Sequence, residues 1–271
     1  MKFFNRKCYL ISNSKLTQNI REGIKMTQKK IALVTGANRG IGFETVRQLA
    51  NEGIKVLIGA RSEEKGIEAE STLKNEGLDV EFVKLDVDDP KTHESAAKFI
   101  EAAYGKLDIL VNNAGIFLNE FDNGGPIPAS QTSIETFRKT FDTNFFNTVA
   151  LTQTLLPLVK KSDAGRIVFL SSGLGSLGLH SDPNSAIYNF KVPAYNISKT
   201  ALNGYAVHLA HELRDTPIKV NAAHPGSVVT DMNANGEIPV EEGAKTSVAL
   251  ATLPADGYSG KFVYLGEELP W

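Results

Sequence analysis

The sequence predicts an α/β fold, a single domain in which a doubly wound, mostly parallel sheet is flanked by helices. Three observations predict it. Short apolar strands alternate with longer amphipathic stretches from Lys30 onward, as right-handed βαβ crossovers require. The strands are near-continuous apolar runs, which suits a parallel sheet covered on both faces. A glycine-rich turn stands directly between the first strand and the first helix, where such sheets receive ligands. The expected strands are Ile31 to Val34, Val56 to Gly59, Val80 to Leu85, Ile109 to Val111, Ile167 to Leu170 and Val220 to Ala223. Helical patterns lie around residues 41–51, 63–75, 90–103, 134–160, 196–214 and 241–251.

Size and composition agree. A chain of 271 residues with 42% hydrophobic residues can build one core without a metal or disulfide staple. Cys8 is the only cysteine, so neither an intrachain disulfide nor a cysteine metal site is expected. A net charge of −2 gives no attraction to nucleic acid or to an anionic membrane, and no apolar run is long enough to span a bilayer. Residues 1–25 differ from the rest: Lys2, Arg6, Lys7, Lys15, Arg21 and Lys25 stand against the single acid Glu22. The apolar stretch Cys8 to Ile11 is too short for a signal-peptide core. This basic leader reads as a disordered or spurious extension, with an organelle transit peptide as the alternative. The expected location is therefore the cytoplasm, and the compact domain is expected to open at Met26 and run to residue 271.

Thr35-Gly36-Ala37-Asn38-Arg39-Gly40-Ile41-Gly42 follows the first strand and opens a helix. Gly36 allows the sharp turn, Gly40 lets the backbone approach a pyrophosphate, and Gly42 lets the helix pack on the sheet. The helix N-terminus then offers free N–H groups and a positive dipole end to phosphates. At the end of the second strand, where NAD-binding sheets often carry an acid for the ribose 2′-hydroxyl, the chain has Ala60 followed by Arg61. A guanidinium there grips a 2′-phosphate that a carboxylate would repel. With Arg39 able to close the other side, NADP(H) is the expected cofactor.

Tyr195 and Lys199 are spaced four apart, so a helix puts both on one face. Carbonyl reduction creates an alkoxide as hydride arrives and needs a proton donor. A nearby ammonium lowers the pKa of a phenol and brings it closer to working pH. Alone this spacing is a weak signal; its company gives it weight.

The spacing G-x-x-x-G-x-G of Gly36, Gly40 and Gly42, followed by these later motifs, resembles the short-chain dehydrogenase/reductase family, from residue 29 to about 265. The resemblance implies a single-domain Rossmann fold binding NADP(H) and further site residues. Asp86, with Val87 after it, would bond the adenine amino group. Asn113, Ala114 and Gly115 would line the adenosine ribose and steady the sheet. In Pro225-Gly226-Ser227-Val228-Val229-Thr230 the threonine would bond the nicotinamide carboxamide. Ser172 would bond the substrate carbonyl oxygen, an oxyanion-type contact, and Asn144 would hold a water linking Lys199 to solvent. Lys199 would also bond the nicotinamide ribose.

Ser172 and Tyr195 lie 23 residues apart, about twice the gap of many short-chain members. The extra stretch, Leu179 to Pro193, resembles the carbonyl-reductase-like branch, where an insertion covers the active site. His180 within it is expected to be solvated. Apolar residues in the lid loops (Phe117, Phe121, Leu174, Leu177 and Tyr188) point to a hydrophobic carbonyl or alcohol substrate. An insertion here can cover the family's helix interface, which leans to a monomer, with a homo-oligomer as the alternative. The expected activity is hydride transfer between NADPH and a ketone or aldehyde, or the reverse. A catalytically idle NADPH-binding sensor on the same fold is the alternative.

Overall fold

The computed structural model describes residues 29–118, 121–122 and 125–271; the expected basic extension and the opening of the domain at Met26 lie outside them. In chain order the elements are β1 (Ile31–Thr35), α1 (Gly40–Asn51), β2 (Lys55–Ala60), α2 (Glu63–Asn75), β3 (Val80–Lys84), α3 (Pro90–Tyr104) and β4 (Ile109–Asn112). A two-stranded hairpin, β5 (Phe121–Asp122) and β6 (Gly125–Pro126), follows. Then come α4 (Ile134–Phe141), a π-helical turn (Asp142–Phe146), α5 (Asn147–Val159), β7 (Arg166–Leu170), α6 (Leu177–Ser181) and α7 (Pro193–Glu212). The chain ends with β8 (Lys219–Ala223), α8 (Val240–Ala251), β9 (Phe262–Tyr264) and β10 (Glu267–Glu268).

The sheet runs in the order β10-β9-β8-β7-β4-β1-β2-β3. Every pairing is parallel except β9 with β10. The chain winds outward from β1 to β3, returns to the other side of β1 at β4, and winds outward again. The crevice at that reversal lies between β1 and β4. All six expected strands and all six expected helical regions are present. The hairpin, β9 and β10 were not anticipated, because strands of two or three residues carry no measurable period.

Burial explains the apolar runs. Residues of β1, β4 and β7 are buried throughout, with one cluster of core side chains on each face of the sheet. On one face lie Leu33, Leu110, Ile167, Phe169 and Val220 against Leu151, Leu155, Leu202 and Leu209. On the other lie Ala32, Val34, Val56, Ile58 and Val111 against Val46, Leu49, Leu73 and Leu250. Helix signals agree with the observed starts: Ser62 caps α2, Asp89 caps α3 with Pro90 in the first turn, and Ser133 caps α4.

At the strand ends opposite the crevice, buried polar groups fix the register. Asp108 accepts the Ile31 N–H (2.9 Å), the Ser162 hydroxyl (2.5 Å) and the Lys106 ammonium (2.9 Å). Arg166 is buried with no carboxylate and donates to carbonyls of Gly165, Pro217, Leu253 and Pro254.

At the crevice end, Thr35 is buried at 1% exposure, and its hydroxyl accepts the N–H groups of Asn113 (3.0 Å) and Ala114 (2.9 Å). One side chain thus locks the ends of β1 and β4 together. Thr35→Val keeps the shape and leaves two buried donors unpaired, at about 1–3 kcal/mol each. Urea unfolding of this variant is expected to give a stability loss of about 2–6 kcal/mol; a loss below about 1 kcal/mol would show that the two amides find other acceptors.

Candidate active site

The glycine turn leaves β1 through Gly36 at φ +61° and reaches α1 through Gly40 at φ +57°. Both are left-handed conformations that favour glycine. A Cβ on Gly42 would sit 2.4 Å from Asn113 Nδ2 and 2.7 Å from the Gly36 carbonyl, so α1 lies against the switch point at a distance only glycine permits. Beside Gly40 the nearest group is the Thr230 methyl, 3.7 Å from where a Cβ would stand. The N-terminus of α1 has no side-chain cap and no acid in its first turn, which leaves its first N–H groups in need of an acceptor. A cradle of this kind, built from Asn38, Arg39, Gly40, Ile41 and Gly42, fits a phosphate.

Farther along the strand ends, Ala60 closes β2 and pairs with Lys84 of β3. Arg61 is exposed, and among the described residues its guanidinium has no partner. Lys84 Nζ donates to the Arg61 carbonyl (2.6 Å), so a second cation stands at this corner. Lys84 was missed in the sequence because an exposed lysine closing a strand reads as ordinary surface. Arg39, by contrast, is engaged: its guanidinium is paired with Asp231, one residue past Thr230. Asp86 accepts the Asp88 N–H at Oδ1 (3.1 Å). The backbone of Asp86 and Val87 is held from behind by Thr92 and by the buried His93, whose Nε2 lies 3.2 and 3.0 Å from their carbonyls.

Asn113 Nδ2 donates to the Thr35 (2.7 Å) and Gly36 (3.2 Å) carbonyls. Gly115 faces Asn144 and Lys199: a Cβ there would stand 3.2 Å from Asn144 Oδ1 and 3.5 Å from Lys199 Nζ. Asn144 sits in the π-helical turn, where the expected single helix over 134–160 is interrupted. The turn makes Asn144 a buried residue, with its side chain clamped on Ile116. Oδ1 accepts the Ile116 N–H (2.8 Å), and Nδ2 donates to the Ile116 carbonyl (2.9 Å) and to Ser198 Oγ (3.1 Å). Ser198 in turn donates to the Tyr195 carbonyl (2.7 Å). Asn144, Ser198 and the Tyr195 backbone are therefore one hydrogen-bonded group, with Lys199 one turn farther along the helix.

Helix α7 comes close enough to supply it because of Gly175. A Cβ on Gly175 would stand 2.8 Å from Lys199 Cβ and 2.9 Å from its carbonyl carbon. Lys199 is buried at 4% exposure and its ammonium donates to the Leu170 carbonyl (2.7 Å) at the end of β7. That ammonium lies 5.7 Å from the Tyr195 ring centre. Burial brings the Lys199 pKa down to about 8 and pushes the Tyr195 phenol up to about 12. Burial is the largest influence on the phenol, opposite in sign to the lowering expected from Lys199, and the contact with the Ser172 hydroxyl opposes that rise only in part. Ser172 is itself buried, with Oγ accepting the Leu174 N–H (3.2 Å).

The stretch from Leu179 to Pro193 is tied to its neighbours by hydrogen bonds around His180 and Asn196. His180, expected to be solvated, is a strut: Nε2 lies 3.0 Å from the Leu174 carbonyl, and Lys191 Nζ approaches Nδ1 (3.1 Å) and donates to the His180 carbonyl (2.8 Å). Phe117 packs edge-on to Tyr195 with ring centres 4.7 Å apart. Leu174 stands two residues past Ser172, Leu177 is exposed, and Tyr188 carries Lys191 over its ring. The side chain of Phe121 lies outside the described residues. Pro225, Gly226, Val228 and Thr230 follow β8 at the same strand ends, with Gly226 at φ +86° and Val228 buried. No cluster of His, Cys, Asp and Glu among the described residues could hold a metal, and none of their helices is long and apolar enough to cross a membrane.

The family model described as short chain dehydrogenase matches residues 30–238. A (+)-neomenthol dehydrogenase of Arabidopsis thaliana is 38% identical, the match covering 83% of this chain and 92% of that protein. Carbonyl reductase [NADPH] 1 of Rattus norvegicus is 34% identical over 90% of this chain and 99% of that one. The crystal structure of an NADPH-bound carbonyl reductase from chicken fatty liver superposes with a TM-score of 0.77 at 26% identity, covering 90% of this chain and all of that one.

The buried Lys199 has a pH consequence. Its folded pKa of about 8 lies below its ordinary value of 10.5, so the unfolded chain binds more protons between those values. Its contribution to stability therefore rises with pH from about 8 to 10.5 and is lost as pH falls through that window. Relative to Lys199→Met, the wild-type protein is expected to gain about 3 kcal/mol of unfolding free energy between pH 7 and pH 10.5. Denaturant unfolding of both proteins across that range checks this, and a constant difference would refute it.

Proposed function

This chain belongs to the short-chain dehydrogenase family, and from that membership we propose that it is an NADPH-dependent carbonyl reductase acting on small hydrophobic ketones or aldehydes. As a member of the family it is an oxidoreductase; the cofactor form, the substrate class and the residue roles are our reading. The observation that carries it is the convergence of Ser172, Tyr195, Lys199 and Asn144 at the strand ends beside an uncapped glycine cradle. The match to reductases named for NADPH supports the cofactor choice, as does the absence of an acid at Ala60.

The cradle residues and Arg61 would hold the cofactor's phosphates, Asp86 and Val87 its adenine, and Asn113, Ala114 and Gly115 its adenosine ribose. Lys199 would hold the nicotinamide ribose, and the segment from Pro225 to Thr230 the carboxamide. When bound, NADPH supplies the hydride. Ser172 orients the carbonyl oxygen by donating a hydrogen bond to it. Tyr195 gives that oxygen its phenolic proton as negative charge builds there, so the carbonyl leaves as an alcohol. A phenol at about 12 is fully protonated at neutral pH, and so is loaded for reduction. Lys199 stabilises the phenolate left behind, and Asn144 would hold a water that links the ammonium to solvent. Phe117 and Leu174 flank the reacting position with apolar surface, which suits a substrate without charge.

Following NADPH oxidation across a panel of hydrophobic ketones and aldehydes tests the reaction. Tyr195→Phe is expected to lower kcat by about 10²–10⁴-fold while NADPH binding survives, since the phenyl ring keeps the packing and deletes only the proton donor. Near wild-type turnover in that variant would refute the assignment and favour an idle binding protein. Arg61→Ala is expected to weaken NADPH binding by about 1.5–3 kcal/mol and leave NADH nearly unaffected. Equal wild-type Kd values for the two cofactors would overturn the preference for NADPH.

A further inference from the structure

His224 connects two segments of the proposed site that otherwise belong to different strands. It is the first residue after β8, and its N–H donates to the Val263 carbonyl (2.8 Å). Its Nδ1 accepts two backbone N–H groups, from Gly173 (3.0 Å) and from Gly226 (3.3 Å). Gly173 directly follows Ser172, and Gly226 opens the segment that leads to Thr230. Because Nδ1 accepts twice, it carries no proton, and the ring is the neutral tautomer with the proton on Nε2. Burial favours the same state and pushes the imidazole down to about 4.

The ring is fixed on both sides. A Cβ on Gly173 would stand 3.1 Å from Nε2 and 3.3 Å from Cε1, so the imidazole lies close over the Cα of Gly173 and a side chain there would crowd it. The Tyr264 ring packs against it with centres 4.9 Å apart and planes at 43°. Tyr264 also bounds Gly226: its Oη would lie 3.1 Å from a Cβ at that position.

We propose that His224 is a positioning residue whose Nδ1 clamps the Gly173 and Gly226 amides and so holds Ser172 at a set distance from the segment facing the nicotinamide. The inference rests on the functional reading above for the roles of those two segments, but the clamp itself is a matter of geometry. Hydride transfer depends on the carbonyl carbon and the nicotinamide sharing one geometry to within a fraction of an ångström. Ser172 sets the carbonyl, the 225–230 segment sets the ring, and no other side chain among the described residues bonds both backbones.

Two substitutions separate the clamp from simple packing. His224→Leu keeps bulk and removes the acceptor. His224→Asn restores an acceptor at the reach of Nδ1 with less bulk. In the cofactor-free protein, amide hydrogen exchange at Gly173 and Gly226 is expected to speed up at both sites in the Leu variant and to stay slow in the Asn variant. With a ketone turned over by wild-type enzyme, the Leu variant is expected to lose about 10–100-fold in kcat. Its NADPH Kd should stay within about threefold, and its deuterium isotope effect should rise when the transferred hydrogen is labelled. The Asn variant should recover most of the loss even where its melting temperature is the lower of the two. Unchanged exchange at the two amides in the Leu variant would overturn the clamp, and so would activity that follows melting temperature instead of the acceptor. A wild-type protein inactive on every carbonyl tested would overturn the functional reading alone. The clamp would then still be decided by the exchange at Gly173 and Gly226.

Discussion

The tie between β1 and β4 governs the rest of the molecule. A parallel sheet that reverses its winding direction leaves a crevice at the reversal, and the two strands bounding it must still be held together. Here Thr35 accepts two amides from the far side, and Asn113 returns two bonds to the carbonyls of Thr35 and Gly36. With four hydrogen bonds spent in this way, the backbone beyond β1 has one path left, a left-handed turn into α1. The glycines follow from that path. Gly42 has no room for a Cβ because Asn113 Nδ2 occupies it, so the residue that steadies the sheet also dictates the cradle's sequence.

The same economy of space acts at α7. Lys199 reaches the Leu170 carbonyl only because the turn after Ser172 passes the helix backbone without a side chain at Gly175. Its ammonium is buried with one carbonyl partner and no carboxylate, an arrangement that costs stability. The phenol beside it is pushed away from ionisation. Neither feature helps the fold, which instead draws its cohesion from the two apolar layers and from Asp108 and Arg166 at the opposite strand ends. The buried ammonium with a single carbonyl partner thus lies where reaction is proposed, and the buried groups with several partners, Asp108 and Arg166, lie at the other strand ends.

Much of this was legible in the residues. Strand and helix positions followed from apolar runs and periodicity, since buried parallel strands and amphipathic helices leave strong local patterns. The cradle and Ser172 were legible because each sits in a short motif at a strand end, and the Tyr195/Lys199 pair because its spacing of four puts both on one face of a helix. What escaped depends on contacts distant in sequence. The π-helical turn at Asn144 has no local signature; it is defined by bonds to Ile116 and Ser198, 28 and 54 residues away. His180 looked like a lone loop histidine until Leu174 and Lys191 closed around it. The phenol's rise was missed because spacing shows which charge is near and says nothing about how much water has been removed. His224 stood inside the quoted neighbourhood of Pro225 and Gly226, yet its partner Gly173 lies 51 residues back.

The distribution of free and engaged cations around the cradle completes the picture. Arg39 and Arg61 read alike in the sequence, as two guanidinium groups flanking a 2′-phosphate site. In the structure they are unequal: Arg39 is paired with Asp231, while Arg61 is unpaired among the described residues and has Lys84 beside it. An anion arriving near Arg61 meets no competitor, whereas one arriving at Arg39 must displace a carboxylate. Both members of the Arg39–Asp231 pair are mostly exposed, so this competition is a weak one. It nevertheless joins the glycine turn to the segment past Thr230, bridging the crevice from the β1 side to the β8 side. On the proposed reading, the discriminating charge is therefore best placed at Arg61, because Arg39 is already engaged by Asp231 across the crevice.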